Sequence, residues 1–304
     1  MPRLKLDPRE VQRAIRQVEA LDLRATSIAE IEQALIPLFK GYSVSAPILN
    51  ENTYLYRGRV CSKPSNLSEL SYPPEKHIKQ LGRANDIGES VFYASTARNV
   101  PFFELNVKSG GYFALSQWKT KSPITVNHVG FSSESHSFMG SERQIDHIYS
   151  FVAKTRKISD LNALVHDYVA NKFSEQIDAT SPFKYKLTAA IAKKLIGDNG
   201  VLDGIIYPTI QMRGNADNIV LSKKVVDRKL QFVSVEYLEV DAANDLDYNV
   251  RILDSSAKVD LIGTIHWSGR GLQWQVPPQG ELRMLSNGLE WIAYSSAGQR
   301  VDPY

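Results

Sequence analysis

Two arginines, Arg57 and Arg59, stand inside the short aromatic stretch "YLYRGRV" at residues 54–60. A third, Arg83, follows in "LGRAND", then Tyr93 in "SVFYAS" and Glu104 in "PFFEL". Arginine presents a rigid, permanently charged fork that matches phosphate oxygens. Gly58, beside Arg57, leaves room for a ligand to approach the backbone. A carboxylate between Phe103 and Leu105 is costly to bury alone, so Glu104 has either a cationic partner or a chemical use. Tyr93 offers a flat ring to a planar heterocycle. Taken singly, each of these residues reads as surface charge or strand filler. In this order and spacing they suggest a site for an anionic ligand, with one carboxylate kept for chemistry. Arg59 is assigned to the opposite strand face and left out of it.

The elements that position these residues read as mixed α+β. A capped helix is expected over 7–24, with Asp7 as cap, Pro8 at the first position and Val11, Ile15 and Val18 at helical spacing. A second helix is expected from Thr26 or Ser27, burying Ile31, Leu35 and Leu38, with Pro37 kinking or ending it. From about residue 48 the texture turns to strands: "NTYLYRGRV", "ESVFYAS", "GGYFALSQWK" and "ITVNHVGF", the last two joined by a turn at Ser122–Pro123. Thr96 or Ser95 caps a short helix that Pro101 disturbs. "SSESHSFMGSERQ" reads as a mobile polar loop. Helices follow from Ser159 and over "FKYKLTAAIAKKLIGDNG", the latter closed by Gly200. "DGIIYPT" and "DNIVLS" are buried strands. Beyond about residue 245, "KVDLIGTIHW", "GLQWQV", "ELRML" and "LEWIAYSS" alternate as hairpins. The expected division is an N-terminal helical segment, 1–45, a central domain, 46–240, and a β-rich C-terminal extension, 241–304.

Bulk properties exclude several classes. The 304 residues are 43% apolar and 23% charged, enough to fill a core. A net charge of +3 is too small for a broad nucleic-acid-binding surface. Cys61 is the single cysteine, so no intrachain disulfide forms. With no apolar run of the roughly 20 residues a membrane helix needs and no secretory leader, a cytoplasmic protein is expected. The six histidines have no metal-ligand spacing with one another or with Cys61 and read as structural; no metal is expected. The GxGxxG fingerprint of dinucleotide-binding folds is absent, which argues against a hydride-transfer enzyme. Trp267, Trp274 and Trp291 read as the core of a small β-unit, with display to a sugar or protein as the rival reading.

The ordered set "YRGR", "GRAN", "GESVFYAS", "FFEL", "DGIIYPT" and "NIVL", over roughly residues 50 to 225, resembles the RES domain family, named for an arginine, a glutamate and a serine in its motifs. The resemblance implies a fold related to ADP-ribosyltransferase toxins. It also implies consumption of NAD by hydrolysis, phosphorolysis or ADP-ribosyl transfer, as the toxin of a toxin–antitoxin pair with an Xre-type helix-turn-helix antitoxin. It places the motif arginines on Arg57 and Arg83, the motif tyrosines on Tyr56 or Tyr93, and the glutamate on Glu104. Thr209 stands where the family has serine, keeping the hydroxyl and adding a methyl. NAD is then the substrate: arginines hold its pyrophosphate, Tyr93 stacks on nicotinamide, and Thr209 bonds nicotinamide or ribose. A homodimer is compatible with the resemblance. The alternative is a catalytically silent nucleotide- or protein-binding module on the same fold.

Overall fold

The computed structural model describes residues 7–141, 143, 146–196, 202–243 and 248–269, with four short strands beyond them. Helix α1 (Pro8–Glu19) starts as its sequence dictates: Asp7 Oδ1 accepts from the N–H groups of Arg9 (2.8 Å) and Glu10 (3.1 Å). It stops short of the expected residue 24. Asp22 accepts from the Arg24 N–H, and its carbonyl accepts from the Thr26 hydroxyl, so local side-chain bonds draw the chain into a turn. Helix α2 (Ile28–Phe39) opens with a reciprocal capping box between Ser27 and Glu30, and Pro37 sits in its last turn.

The chain then lays down strands β1 (Ile48–Leu49), β2 (Tyr54–Val60) and β3 (Val91–Ser95), helix α3 (Val100–Leu105), and strands β4 (Tyr112–Thr120) and β5 (Ile124–His128). Four helices follow: α4 (Ser133–Met139), α5 (Asp146–Arg156), α6 (Asp160–Ser174) and α7 (Tyr185–Ile196). Strands β6 (Gly204–Pro208) and β7 (Asp217–Ser222), helix α8 (Lys223–Lys229), and strands β8 (Leu230–Ala243), β9 (Tyr248–Ser256) and β10 (Leu272–Val276) complete the principal sheet. Its order is β1-β5-β6-β7-β3-β2-β4-β8-β9-β10, with β5–β6 parallel and the other pairings antiparallel. A separate antiparallel sheet holds β11 (Arg283–Ser286), β12 (Trp291–Tyr294) and β13 (Arg300–Val301).

The principal sheet is pinched in the middle. β2 and β3 share a single register pair, Tyr56 with Ser95, whereas β2 pairs β4 along its whole length. Ser95 Oγ strengthens the pinch by donating to the carbonyls of Tyr56 (3.2 Å) and Ala97 (2.8 Å). On one side, Val11, Leu35, Phe173 and Ile191 pack the four helices α1, α2, α6 and α7 against Ile205 and Val220. On the other, Phe102 and Phe103 of α3 pack over Phe113, Leu238 and Tyr248, with Phe102 and Phe113 edge to face at 4.8 Å. A third cluster, including Phe92, Trp118, Phe131 and Ile206, fills the remaining core.

Several expectations change. β4 and β5 are consecutive but unpaired, because each finds its partners elsewhere in the sheet. "SSESHSFMGSERQ" holds α4, whose start is fixed by a box between Ser132 and Ser135. Buried His136 stacks on Phe131 there at 5.4 Å, a contact invisible to a polarity pattern. "KVDLIGTIHW" forms isolated bridges, Val259 with Ile265 around a turn at Gly263 (φ 87°) and Thr264 with Asn66, and not a full strand. The boundary expected at 240 falls inside β8, which pairs with β9 across it, so residues 248–256 extend the central sheet. The helical segment expected as 1–45 shares its core with α6 and α7. Trp267 is anchored, its Nε1 donating to the Pro64 carbonyl at 3.0 Å, whereas Gly200 and the side chains of Trp274 and Trp291 lie outside the described residues. Among the described residues no helix is long and apolar enough to cross a membrane.

Truncating fully buried Leu35 to alanine should cost about 3 kcal/mol. Urea unfolding should show it as a lower midpoint of one transition that includes the sheet; loss of the N-terminal helices alone would refute the shared core. Burial, with Arg143 nearby, pulls the His136 pKa down to about 4 from its ordinary 6.5. The unfolded chain therefore binds the proton more readily, so the stability due to this group is full above pH 6.5 and is lost as pH falls towards 4. His136→Phe should flatten that part of the stability–pH curve.

Candidate functional site

The parting of β2 from β3 opens a cleft of about 540 Å³. Arg57 bridges the gap: its Nη1 donates to the Tyr93 carbonyl at 2.6 Å, and its guanidinium lies 5.3 Å over the Phe92 ring. It thus satisfies a carbonyl near the point where the ladder fails. Its Nε is closed to solvent and has no hydrogen-bond partner. Burial, with Arg59 close by, lowers the Arg57 pKa to about 10, which leaves it charged at neutral pH. Arg59 also lines this cleft, contrary to its assignment to the opposite face: alternate residues of a strand share a face. Arg59 Nη1 donates to the Glu69 carbonyl.

Glu104 reaches the cleft from the last turn of α3, which ends where Asn106 turns left-handed at φ 45°. Pro101 falls in the first turn, where its missing N–H costs nothing, so it supports the helix it was expected to disturb. Glu104 Oε1 accepts two hydrogen bonds, one from Thr209 Oγ1 and one from Asn218 Nδ2 (2.8 Å). Oε2 has no partner among the described residues. The carboxylate is exposed to the cleft, not buried, and its partners are a hydroxyl and an amide where a cation was one expectation. Thr209, fully buried, is itself fixed: its N–H donates to the Ala216 carbonyl and its carbonyl accepts from Gly214 N–H, both at 2.8 Å. Asn218 is held by β7, registered with Ser95 on one side and Tyr207 on the other.

Gly58 has a structural duty. A Cβ there would stand 2.6 Å from Leu105 Cδ1 and 2.8 Å from Pro101 Cβ, so its bareness lets α3 lie on β2; it was expected to admit a ligand. Arg83 lines the cleft but is committed elsewhere. Its Nη1 and Nη2 donate to the carbonyls of Phe173 (3.0 Å) and Glu175 (3.1 Å), closing the C-terminal end of α6. The expectation of two arginines side by side with free guanidinium groups therefore changes at Arg83. Tyr93 uses its hydroxyl to accept from Ala84 N–H (2.8 Å) and donate to Asn85 Oδ1 (2.9 Å), fixing the turn at 82–85 and leaving its ring on the cleft wall. Tyr56 is 2% exposed and is pushed up to about 12 by burial; its hydroxyl accepts from Gln117 Nε2 at 3.4 Å, a strut of the wall.

Sequence reasoning passed over Asn218, Tyr207 and Tyr185, and set Arg59 on the wrong face. Tyr207 alternates with Ile206 in β6 and faces the cleft, its phenol held well above its usual pKa by burial and by neighbouring Tyr93 and Glu104. The Arg83 guanidinium lies 5.5 Å from the Tyr185 ring and 6.0 Å from that of Tyr207. The period-two alternation of "NIVLS" signals that Asn218 shares a face with Val220, but not that Glu104 meets it there. Among the described residues no His, Cys, Asp and Glu group is arranged to hold a metal ion.

No protein-family model matches the chain, and no curated protein matches it.

Gly58→Ala should lower stability by roughly 1–3 kcal/mol through its clash with Pro101 and Leu105. Urea denaturation reads this directly, and an unchanged midpoint would mean that α3 does not depend on close approach to β2.

Proposed function

We propose that the protein is a NAD-consuming enzyme that cleaves the nicotinamide–ribose bond, on a RES-like variant of the ADP-ribosyltransferase fold. The observation that carries this reading is the Glu104 carboxylate, oriented through one oxygen by Thr209 and Asn218 and left free at the other, on a cleft that also holds Arg57. The C–N bond breaks with its electron pair leaving on the nicotinamide nitrogen, and positive charge develops on the ribose as in glycoside cleavage. A fixed carboxylate stabilises that charge and holds a ribose hydroxyl, a contribution of about 3 kcal/mol or roughly a hundredfold in rate. Arg57, charged at neutral pH and part of the cleft wall, suits the pyrophosphate. The rings of Tyr93 and Tyr207 offer walls for nicotinamide. Water, phosphate or a protein side chain then takes the ribosyl group. Thr209 acts through Glu104 in this scheme and does not touch substrate.

The family resemblance further supports a toxin held in check by an Xre-type antitoxin in the cytoplasm, compatible with a homodimer and with no direct contact with nucleic acid. Growth arrest on expression, relieved by Glu104→Gln, is the expected cellular result.

Nicotinamide release from NAD by purified protein, with and without phosphate, tests the chemistry. Glu104→Gln should lower kcat about a hundredfold or more. Thr209→Val should lower it roughly tenfold, with Thr209→Ser restoring it, because a hydrogen bond to a charged group is worth about 1.5–3 kcal/mol. Stimulation by phosphate would identify the acceptor. Absence of release by folded wild type would overturn the enzymatic reading and favour a binding module.

A further inference from the structure

The segment that leaves α4 reaches across to the loop between β6 and β7 and holds it at two points. The Ser141 hydroxyl is shared between the Gly214 carbonyl and Asn215 Oδ1, both at 3.2 Å. Arg143 Nη2 donates to both carboxylate oxygens of Asp217, at 2.9 and 3.0 Å, in an ion pair whose side chains are only 5% and 6% exposed. The held loop turns through Arg213 and Gly214, both left-handed, at φ 53° and 74°. A residue with a Cβ is strained there, so local preference alone does not keep this loop in shape. Asp217 sits where a small movement matters most. On one side of it is Ala216, whose carbonyl accepts from the Thr209 N–H at 2.8 Å, and on the other is Asn218. Across the ladder it is registered with Pro208, the residue before Thr209, and its own carbonyl accepts from the Thr96 N–H at 3.2 Å. Thr209 and Asn218 are the two donors to Glu104 Oε1. An ion pair so deeply buried is weak evidence for stability, because desolvation offsets most of the attraction. What it does impose is geometry, since a buried carboxylate has to meet its donors.

We propose that Arg143 is a positioning residue for the cleft: through Asp217 it fixes Thr209 and Asn218 relative to each other, and through them the direction of the free Glu104 oxygen. Its catalytic consequence rests on the reading of Glu104 as the carboxylate that acts on the ribose. Arg143 itself stands behind the cleft wall and not on it. The polar run 132–143 thereby gains a task. The Ser132–Ser135 box and the stacking of His136 on Phe131 anchor α4, and the Arg143 guanidinium lies 6.0 Å from the same Phe131 ring. Anchor and latch share one core residue, so the ion pair is held from a rigid point.

Replacing the pair by Arg143→Met together with Asp217→Leu tests this, because an apolar pair of similar volume keeps a buried site folded while removing the directional hold. In protein carrying heavy-nitrogen asparagine, the Asn218 side-chain amide resonance reports its bond to Glu104 without turnover, and Glu104→Ala gives the position of the unbonded amide. The pair replacement should move that resonance towards the Glu104→Ala position with the fold unchanged by circular dichroism. It should also lower kcat for nicotinamide release about tenfold with KM for NAD nearly unchanged, and should cost nothing further in a Glu104→Gln background. The apolar pair decides where it folds. Arg143→Lys, which keeps the charge on a shorter reach, decides where it does not, by moving the resonance in the same direction. An unmoved resonance in the deciding variant, or a loss of rate undiminished in Glu104→Gln, would overturn the positioning role. Failure of the nicotinamide-cleavage reading has a different signature: the resonance moves as described, yet wild type releases no nicotinamide from NAD.

Discussion

The incomplete pairing of β2 with β3 is the constraint on which the rest of the molecule depends. A sheet that parts must do something with the backbone groups it leaves behind, since an unpaired buried carbonyl costs as much as a lost hydrogen bond. Here the Tyr93 carbonyl is taken by Arg57, so a backbone need fixes the position of a cationic side chain. The gap becomes a cleft and not a collapsed seam. Tyr56 with Ser95 holds the two halves together at one point, and Ser95 Oγ adds its own bond to Tyr56.

The carboxylate arrives by a different route. α3 is only six residues long, too short to be stable by itself, and is held down by Phe102 and Phe103 packing over β4, β8 and β9. Its close seat on β2 requires Gly58. Thr209, just past the end of β6, and Asn218 of β7 then meet Glu104 on the other side of the pinch. The Glu104 contacts are thus a bond across the parted sheet as well as a way of aiming an oxygen, and they link the two halves where the strand ladder does not.

Arginine is used in two ways on one cleft. Arg57 keeps an unspent buried donor beside the cleft, while Arg83 gives two donors to the C-terminal carbonyls of α6 between the rings of Tyr185 and Tyr207. Both occupy motif positions of the resemblance. Burial and hydrogen bonding distinguish them; residue type does not.

Much of this was legible in the sequence, where the signal is local. Asp7, Ser27 and Ser159 cap helices because their side chains bond N–H groups two or three residues ahead. The short apolar runs in "DGIIYPT" and "DNIVLS" mark strands buried on both faces, as β6 and β7 are. Arg57, Gly58, Tyr56, Tyr93 and Glu104 all line one cleft, and Thr209 touches Glu104 from behind it. Tertiary structure alone decided which of these groups remained free. Asn218 meets Glu104 across 114 positions of chain, and Arg83 finds the end of α6 some 90 positions on. The polar pattern of 132–143 hides a helix because His136 packs on Phe131, and the strands after β4 part company because their partners lie elsewhere in the sheet. Capping and apolar runs act over a few residues and can be read from them. Whether a donor is spent or spare depends on what the fold brings to its side, and no stretch of chain contains that information by itself.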